Sequence, residues 1–272
     1  MMKYVSAGVT AAFCLAASPA AGLAEEVVNA SAVAAPIQEA SQHQVWTDIL
    51  QKYTVEGEDG LNRFDYGGLQ ANASDSAALD AYLATFADLD FDALDDDEAF
   101  VAWGNLYNAL TVDHIVDRFP LNSIRSGYIL PPFGPWKEVT INAGGREVSL
   151  DDIEHNILRA EWDEPRIHYM VNCASYGCPN LKSTAWEVET LEEDLVAAAK
   201  AYVNHPRGVT IRRNGTLQVS TIYKWFREDF GGNNEGVVAH LLEYAEPELA
   251  AQIRANPRIT KHEYDWALNG VE

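Results

Sequence analysis

Cys173 and Cys178 lie in one short run, Asn172-Cys173-Ala174-Ser175-Tyr176-Gly177-Cys178-Pro179, and are the residues best suited to covalent chemistry. A thiol becomes a nucleophile only as the thiolate, so it needs a base or cation close by, and often a third group that orients the base. Upstream, His155 offers the base, with Glu154, Asn105 or Asn108 as the orienting group. Glu154 and His155 are helix neighbours and point about 100° apart, which makes Asn105 or Asn108 the easier partner for His155. Backbone N–H groups of the cysteine loop would supply an oxyanion site. Ser175 and Arg159 would bind substrate, Arg159 through an anionic group. The chemistry expected from this set is hydrolysis or acyl transfer on an amide or ester through a Cys173 thioester.

Two other readings use the same thiols. Exported proteins usually hold paired cysteines as disulfides, so a Cys173–Cys178 bridge would make the loop a stapled recognition surface of a non-catalytic binding or envelope-associated protein. A strained, reducible bond would instead make a thiol–disulfide redox protein, although the spacing is C-x4-C and not the C-x-x-C of thioredoxin-like enzymes. Zinc fits poorly: Cys173, Cys178, His155 and His168 form no second paired motif, and no metal is expected. There is no G-x-S-x-G, phosphate-cradling glycine loop or dinucleotide fingerprint, which removes serine hydrolase, kinase and dehydrogenase readings and leaves no cofactor to expect.

Periodicity places these residues on elements. Helices are expected from Val45, Ile49, Leu50 and Tyr53, from Leu79, Tyr82, Leu83 and Phe86, and over 98–119, where Phe100, Trp103, Leu106, Tyr107 and Leu110 share an apolar face. Asn105 and Asn108 lie on a second stripe of that helix, where buried asparagines need partners: a neighbouring loop or a polar site. The acidic run from Asp88 to Glu98 lacks the glycine and terminal glutamate of an EF-hand and suits the N-terminus of the helix it precedes. A hairpin is expected around Gly144 and Gly145, and a helix from Ser149, whose spacing to Asp152 is that of a capping box. Residues 166–171 read as a short buried strand running into the cysteine loop, which sets His168 and Cys173 on opposite faces. A helix over 191–202, a hairpin about Asn214-Gly215 and further short helices follow. Helices outnumber strands and the strands are hairpin-like, so the fold class is α+β, several helices on a small sheet.

Residues 1–24 carry Lys3, an apolar stretch and small residues ending at Ala24, the order of a secretory signal. The expected protein is therefore exported, periplasmic or secreted, with no integral membrane segment after cleavage. Residues 25–43 read as a flexible leader and 44–270 as one globular domain. Forty-one acidic against nineteen basic side chains leave a net charge of -22 in 272 residues. Nucleic acid is excluded as a partner by that charge, and a small molecule or peptide remains.

Several segments in order carry a resemblance: Asn105-Leu106-Tyr107-Asn108-Ala109-Leu110-Thr111, Leu150-Asp151-Asp152-Ile153-Glu154-His155, Ile157-Leu158-Arg159, Asn172-Cys173-Ala174-Ser175 with Cys178-Pro179, and Tyr264-Asp265-Trp266 with Leu268-Asn269. Together they resemble the domain-of-unknown-function family 547, over about residues 46–269. The resemblance implies a thiol-bearing loop after a strand and a distant kinship with papain-like and transglutaminase-like thiol enzymes. In papain-like chains the nucleophile leads, whereas here His155 precedes Cys173, so that kinship requires a permuted order.

Overall fold

The computed structural model describes residues 41–128 and 134–271. The expected signal at 1–24 and most of the expected leader lie outside the described residues. The chain runs α1 (Gln44–Tyr53), β1 (Thr54–Glu56), β2 (Asn62–Phe64), α2 (Tyr66–Ala71), α3 (Ala73–Ala84), α4 (Asp96–Arg118), β3 (Thr140–Ala143) and β4 (Arg146–Ser149). A π-helix (Asp152–Leu158) follows, then α5 (Arg159–Glu161), α6 (Ile167–Met170), α7 (Leu191–Val203), β5 (Val209–Ile211), β6 (Leu217–Ser220), α8 (Ile222–Trp225), α9 (Asn234–Tyr244), α10 (Pro247–Ala255) and β7 (Ile259–Glu263). The class is α+β. The sheets are small: hairpins β1–β2 and β3–β4, and a three-stranded sheet in which β7 pairs parallel to the β5–β6 hairpin. No helix among the described residues is long and apolar enough to cross a membrane.

Helix α4 is the central pillar. Every residue from Ala99 to Val112 is buried, as expected of a helix that is packed all round. The acidic run starts it: Asp95 accepts from the Glu98 N–H at 2.9 Å, and Glu98 accepts from the Asp95 N–H at 3.0 Å, a capping box. Chain order on the N-terminal side is fixed by packing that begins before α1. His43 is 3% exposed and its Nδ1 lies 2.8 Å from the Tyr82 hydroxyl, so packing extends to a residue just ahead of the expected boundary at 44.

The expected strand at 166–171 is instead helical at its centre, in α6. The Tyr169 N–H donates to Arg166 O and the Val171 N–H to Ile167 O. All four residues of α6 are buried, and a short apolar run buried on all sides has the same signature as a buried strand. Its fit depends on Gly104 of α4, where a Cβ would come within 2.5 Å of Met170 Sδ. Two apolar clusters meet here. Ile167 and Met170 belong to a core built around α4, and Tyr169 belongs to a second one with Tyr202, Tyr223 and Leu241. The cysteine loop therefore leaves the seam between two cores, anchored from both.

The helix expected from Ser149 begins as anticipated, with the Asp152 N–H donating to Ser149 Oγ at 3.1 Å and Asp152 accepting from the Ser149 N–H at 3.0 Å. The turn that follows is a π-helix, a wider turn with i→i+5 bonds that is frequent at functional sites.

Candidate functional site

Asn172 organises the cysteine loop. Its N–H donates to Asn108 Oδ1 at 2.8 Å, its side-chain amide donates to Pro179 O at 2.6 Å, and its Oδ1 accepts from the Ala174 N–H at 2.8 Å. The last bond is an Asx turn, and it brings Ala174 into the left-handed region at φ 55. For a residue with a Cβ this conformation costs about 1–3 kcal/mol, and it persists only where surroundings over-determine it. Here they do. The C-terminal segment lies along the loop, with the Asn269 N–H donating to Ala174 O at 3.1 Å, the Tyr176 N–H to Ala267 O at 2.7 Å and the Gly177 N–H to Asp265 O at 2.8 Å. A Cβ on Gly177 would come 2.8 Å from the Asp265 nitrogen, so glycine is required for that approach. On the other side, the half-buried Arg207 donates to the carbonyls of Tyr176 and Cys178 and, at 2.6 Å, to Asn180 Oδ1.

The tightly wound loop brings Cys173 Sγ and Cys178 Sγ to 2.7 Å, with both residues as free thiols. Tyr264 Oη lies 3.1 Å from each sulfur and 2.7 Å from Ser175 Oγ, and Ser175 Oγ is itself 3.1 Å from Cys173 Sγ. The Cys173 N–H donates to Cys178 Sγ at 3.1 Å. Burial alone would raise the Cys178 thiol. Hydrogen bonds from Cys173, Tyr264 and the Cys173 N–H outweigh it and bring it down to about 7. Its hydrogen bond to Cys178, together with burial, pushes the Cys173 thiol well above its ordinary value. The two thiols thus titrate as a pair: the first proton leaves easily and the second is held. Cys173 is partly exposed and Cys178 is buried, so the pair has an accessible member and a deep one.

Both sulfurs line a cavity of about 430 Å³ together with Tyr107, Glu154, His155 and His168 and an aromatic group containing Trp136, Trp225 and Trp266. The π-helix explains why Glu154 and His155, adjacent in sequence, both reach this cavity. Glu154 is buried, and its Oε2 accepts from the Tyr107 hydroxyl at 3.1 Å. Burial raises its carboxyl above the ordinary range. His168 Nε2 lies 2.6 Å from Asp229 Oδ2, and Arg159 grips the same carboxylate through Nε at 2.6 Å and Nη2 at 2.8 Å. Burial alone would raise Asp229, but the bonds from Arg159 and His168 hold it well below the usual carboxylate range. Burial keeps His168 neutral. An ionised Asp229 can only accept, so Nε2 of neutral His168 carries the proton and Nδ1 turns its lone pair towards Glu154 Oε1, 4.0 Å away.

The sequence-derived set is partly assembled here. Cys173, Ser175, Glu154 and His155 converge on the thiol pair or its cavity. Asn105 and Asn108 do not approach His155. Asn105 pairs with the backbone of Trp186, accepting from its N–H at 2.9 Å and donating to its carbonyl at 2.9 Å, and Asn108 donates to Met170 O at 3.0 Å while holding Asn172. They are the loop-bonding asparagines that the mid-helix stripe allowed for; Asn108 holds the thiol loop from beneath through Asn172, and Asn105 fixes the chain at Trp186. Arg159 is occupied by Asp229, so an anionic substrate group would have to compete with that pair. His155 Nδ1 accepts from Arg159 Nη1 at 2.9 Å, which leaves the proton on Nε2, 3.9 Å from Asp151 Oδ1. His155 thus has no free lone pair aimed at a thiol. The loop N–H groups of residues 173, 174, 176, 177 and 178 are all spent within the fold, so they offer no ready oxyanion site.

Residue types alone do not mark Tyr107, Tyr264, Arg207 or Asp229 as functional. Tyrosines at helical spacing read as core, and Asp229 and Arg207 meet the site only through folding. The available signal is that Tyr107 and Tyr264 lie within the segments Asn105–Thr111 and Tyr264–Trp266 that carry the resemblance.

A left-handed loop carrying two thiols, clamped in an α+β scaffold by an asparagine-bearing central helix, defines the class of this protein. Residues 91–203 match the family described as "Protein of unknown function, DUF547", and over that stretch the chain is similar to it. The matched stretch holds α4, the π-helix, α6 and the cysteine loop, whereas Tyr264 and Asn269, which complete the site, lie beyond it. No curated protein and no solved structure matches the chain.

Proposed function

We propose that the Cys173–Cys178 pair is a thiol–disulfide exchange centre acting on disulfides presented at the cavity. The observation that carries this reading is the 2.7 Å separation of two free thiols, one on a partly exposed residue and one on a buried residue. Cys173 passes its proton to the Cys178 thiolate across the 2.7 Å contact, its sulfur attacks one sulfur of a substrate disulfide, the S–S bond breaks, and the leaving thiolate takes the proton from Cys178. The Cys178 thiolate then attacks Cys173 Sγ in the mixed disulfide and expels the second substrate thiolate. Two electrons pass from the dithiol to the substrate, and the reverse course oxidises a substrate dithiol. With residues 1–24 read as an export signal, the centre would operate in a periplasmic or extracellular space, where disulfides persist.

Acyl transfer through Cys173 is the second reading. Its support is that Cys173, His155 and Glu154 face one cavity. Against it stand the occupied lone pair of His155 and the spent amides of the loop. The two readings part at Cys178. Exposure of the Cys178→Ser variant to a small aromatic disulfide should trap a mixed disulfide on Cys173, detected by intact mass, that resolves in the wild type. A variant that forms no adduct overturns the exchange reading. If Cys178→Ser keeps full turnover on an ester or amide while Cys173→Ser and His155→Ala lose it, acyl transfer takes its place. A native protein whose two cysteines are blocked and resist mild reductant is the stapled, non-catalytic protein instead.

A further inference from the structure

Trp225 is 47% exposed, although large aromatic side chains bury most of their surface in folded proteins. It is not an isolated surface residue. Its ring lies 4.9 Å from that of Tyr264 and 5.5 Å from that of Trp266, and Trp266 in turn lies 5.6 Å from Trp136. All four line the cavity that reaches Cys173 and Cys178, and Tyr264 touches both sulfurs. Beside this aromatic wall, the Arg125 guanidinium sits 4.9 Å from the Trp266 ring. It has no acidic partner among the described residues, in a chain whose net charge is -22. An apolar stacking surface and an unpaired cation thus stand side by side at the thiols.

We infer that the substrate is a cystine-containing peptide that carries an aromatic or large apolar side chain and a carboxylate next to its disulfide. The side chain stacks on Trp225 and Trp266, the carboxylate meets Arg125, and the disulfide is left facing Cys173. This inference rests on the exchange reading and supplies its substrate class. A disulfide lacking the apolar group gains only the ionic contact, and one lacking the carboxylate gains only the stack.

The test compares two cystine peptides of equal length, one with Phe and Glu beside the disulfide and one with Ser and Lys. Exchange by the wild-type protein, Trp225→Ala and Arg125→Gln is followed by thiol release, and binding of the reduced peptides by tryptophan fluorescence. The Phe/Glu peptide should have a kcat/KM higher by about tenfold or more, the scale of one aromatic contact plus one charge-assisted hydrogen bond. Trp225→Ala and Arg125→Gln should each remove most of that preference. Equal kcat/KM for the two peptides, or a preference unchanged in both variants, overturns the inference while leaving exchange intact. Selective binding of the Phe/Glu peptide without any thiol release overturns the exchange reading and leaves the recognition surface standing.

Discussion

Asn108→Ala tests whether the thiol loop is held from beneath by α4. The side chain is 1% exposed, and both ends of its amide are used, Oδ1 by the Asn172 N–H at 2.8 Å and Nδ2 on Met170 O at 3.0 Å. Alanine leaves one buried donor and one buried acceptor without partners. Each such group costs about 1–3 kcal/mol, so the variant should lose about 2–6 kcal/mol, far more than one ordinary hydrogen bond. Urea unfolding followed by fluorescence would show the loss as a lower midpoint at unchanged m-value. A second consequence is local. Without the Asn108 anchor the Asx turn at Asn172 loosens, Ala174 relaxes from its left-handed conformation and the sulfurs separate, so alkylation of the pair at pH 7 should slow. A destabilisation below about 1 kcal/mol with unchanged alkylation would refute the claim that these groups are dry and that this anchor sets the sulfur geometry.

Tyr264→Phe removes the hydroxyl that bonds both sulfurs, so the readily lost proton of the pair should be held to higher pH. Thiolate absorbance against pH would show the shift, and an unmoved curve would remove Tyr264 from the thiolate's support. Asp229→Asn takes the charge from the carboxylate gripped by Arg159 and His168. Because the folded carboxyl is held below its unfolded value, its contribution is present above about pH 4 and vanishes on acidification through the folded value, so wild type and variant should converge in stability only in strong acid. Burial lowers His43, His114 and His240 to about 4 and also lowers His168, so each favours the folded state above pH 6.5 and costs up to about 1.4 kcal/mol per pH unit below it. Asp113, raised to about 7, and Glu154 act in the opposite sense, but the histidines outnumber them. The thermal midpoint should fall from pH 6.5 towards pH 4, and a flat midpoint across that range would refute their neutral burial.

The legible parts of this fold are those whose signals are local. The capping box at Asp95 and Glu98, the hairpin turns at Gly144-Gly145 and Asn214-Gly215, and the start at Ser149 follow from turn and cap chemistry within a few residues. Helix α6 was not legible, because four consecutive buried residues satisfy a strand and a helical turn equally until Gly104 and the two flanking cores are known. The π-turn was not legible either, since no residue type marks a wider turn, and with it went the convergence of Glu154 and His155. Cys173 and Cys178 stood out by type, but their contact depends on an alanine in a glycine's conformation. Nothing in Ala174 announces that; the reason lies in Asn172 beside it and in Asn269, far along the chain.

That dependence bears on how such a centre can work. A strained loop costs stability, so the strain persists only while clamps from α4, Arg207 and the C-terminal segment all hold. Three of the clamping residues, Asn108, Asn172 and Asn269, are asparagines: the side-chain amides of the first two bond backbone and that of Asn269 bonds Tyr66 and Asn172, all without adding charge beside the thiolate. A carboxylate in any of these places would supply an acceptor but would also raise the energy of the nearby thiolate. The acidic groups at or behind the cavity wall are arranged accordingly, Asp151 lying 3.6 Å from Lys137 Nζ. Glu154 is raised towards its neutral form by burial, and Asp229 is tied to Arg159 and His168. The cavity thus places little uncompensated negative charge against a sulfur that must ionise, in a protein that is strongly acidic overall.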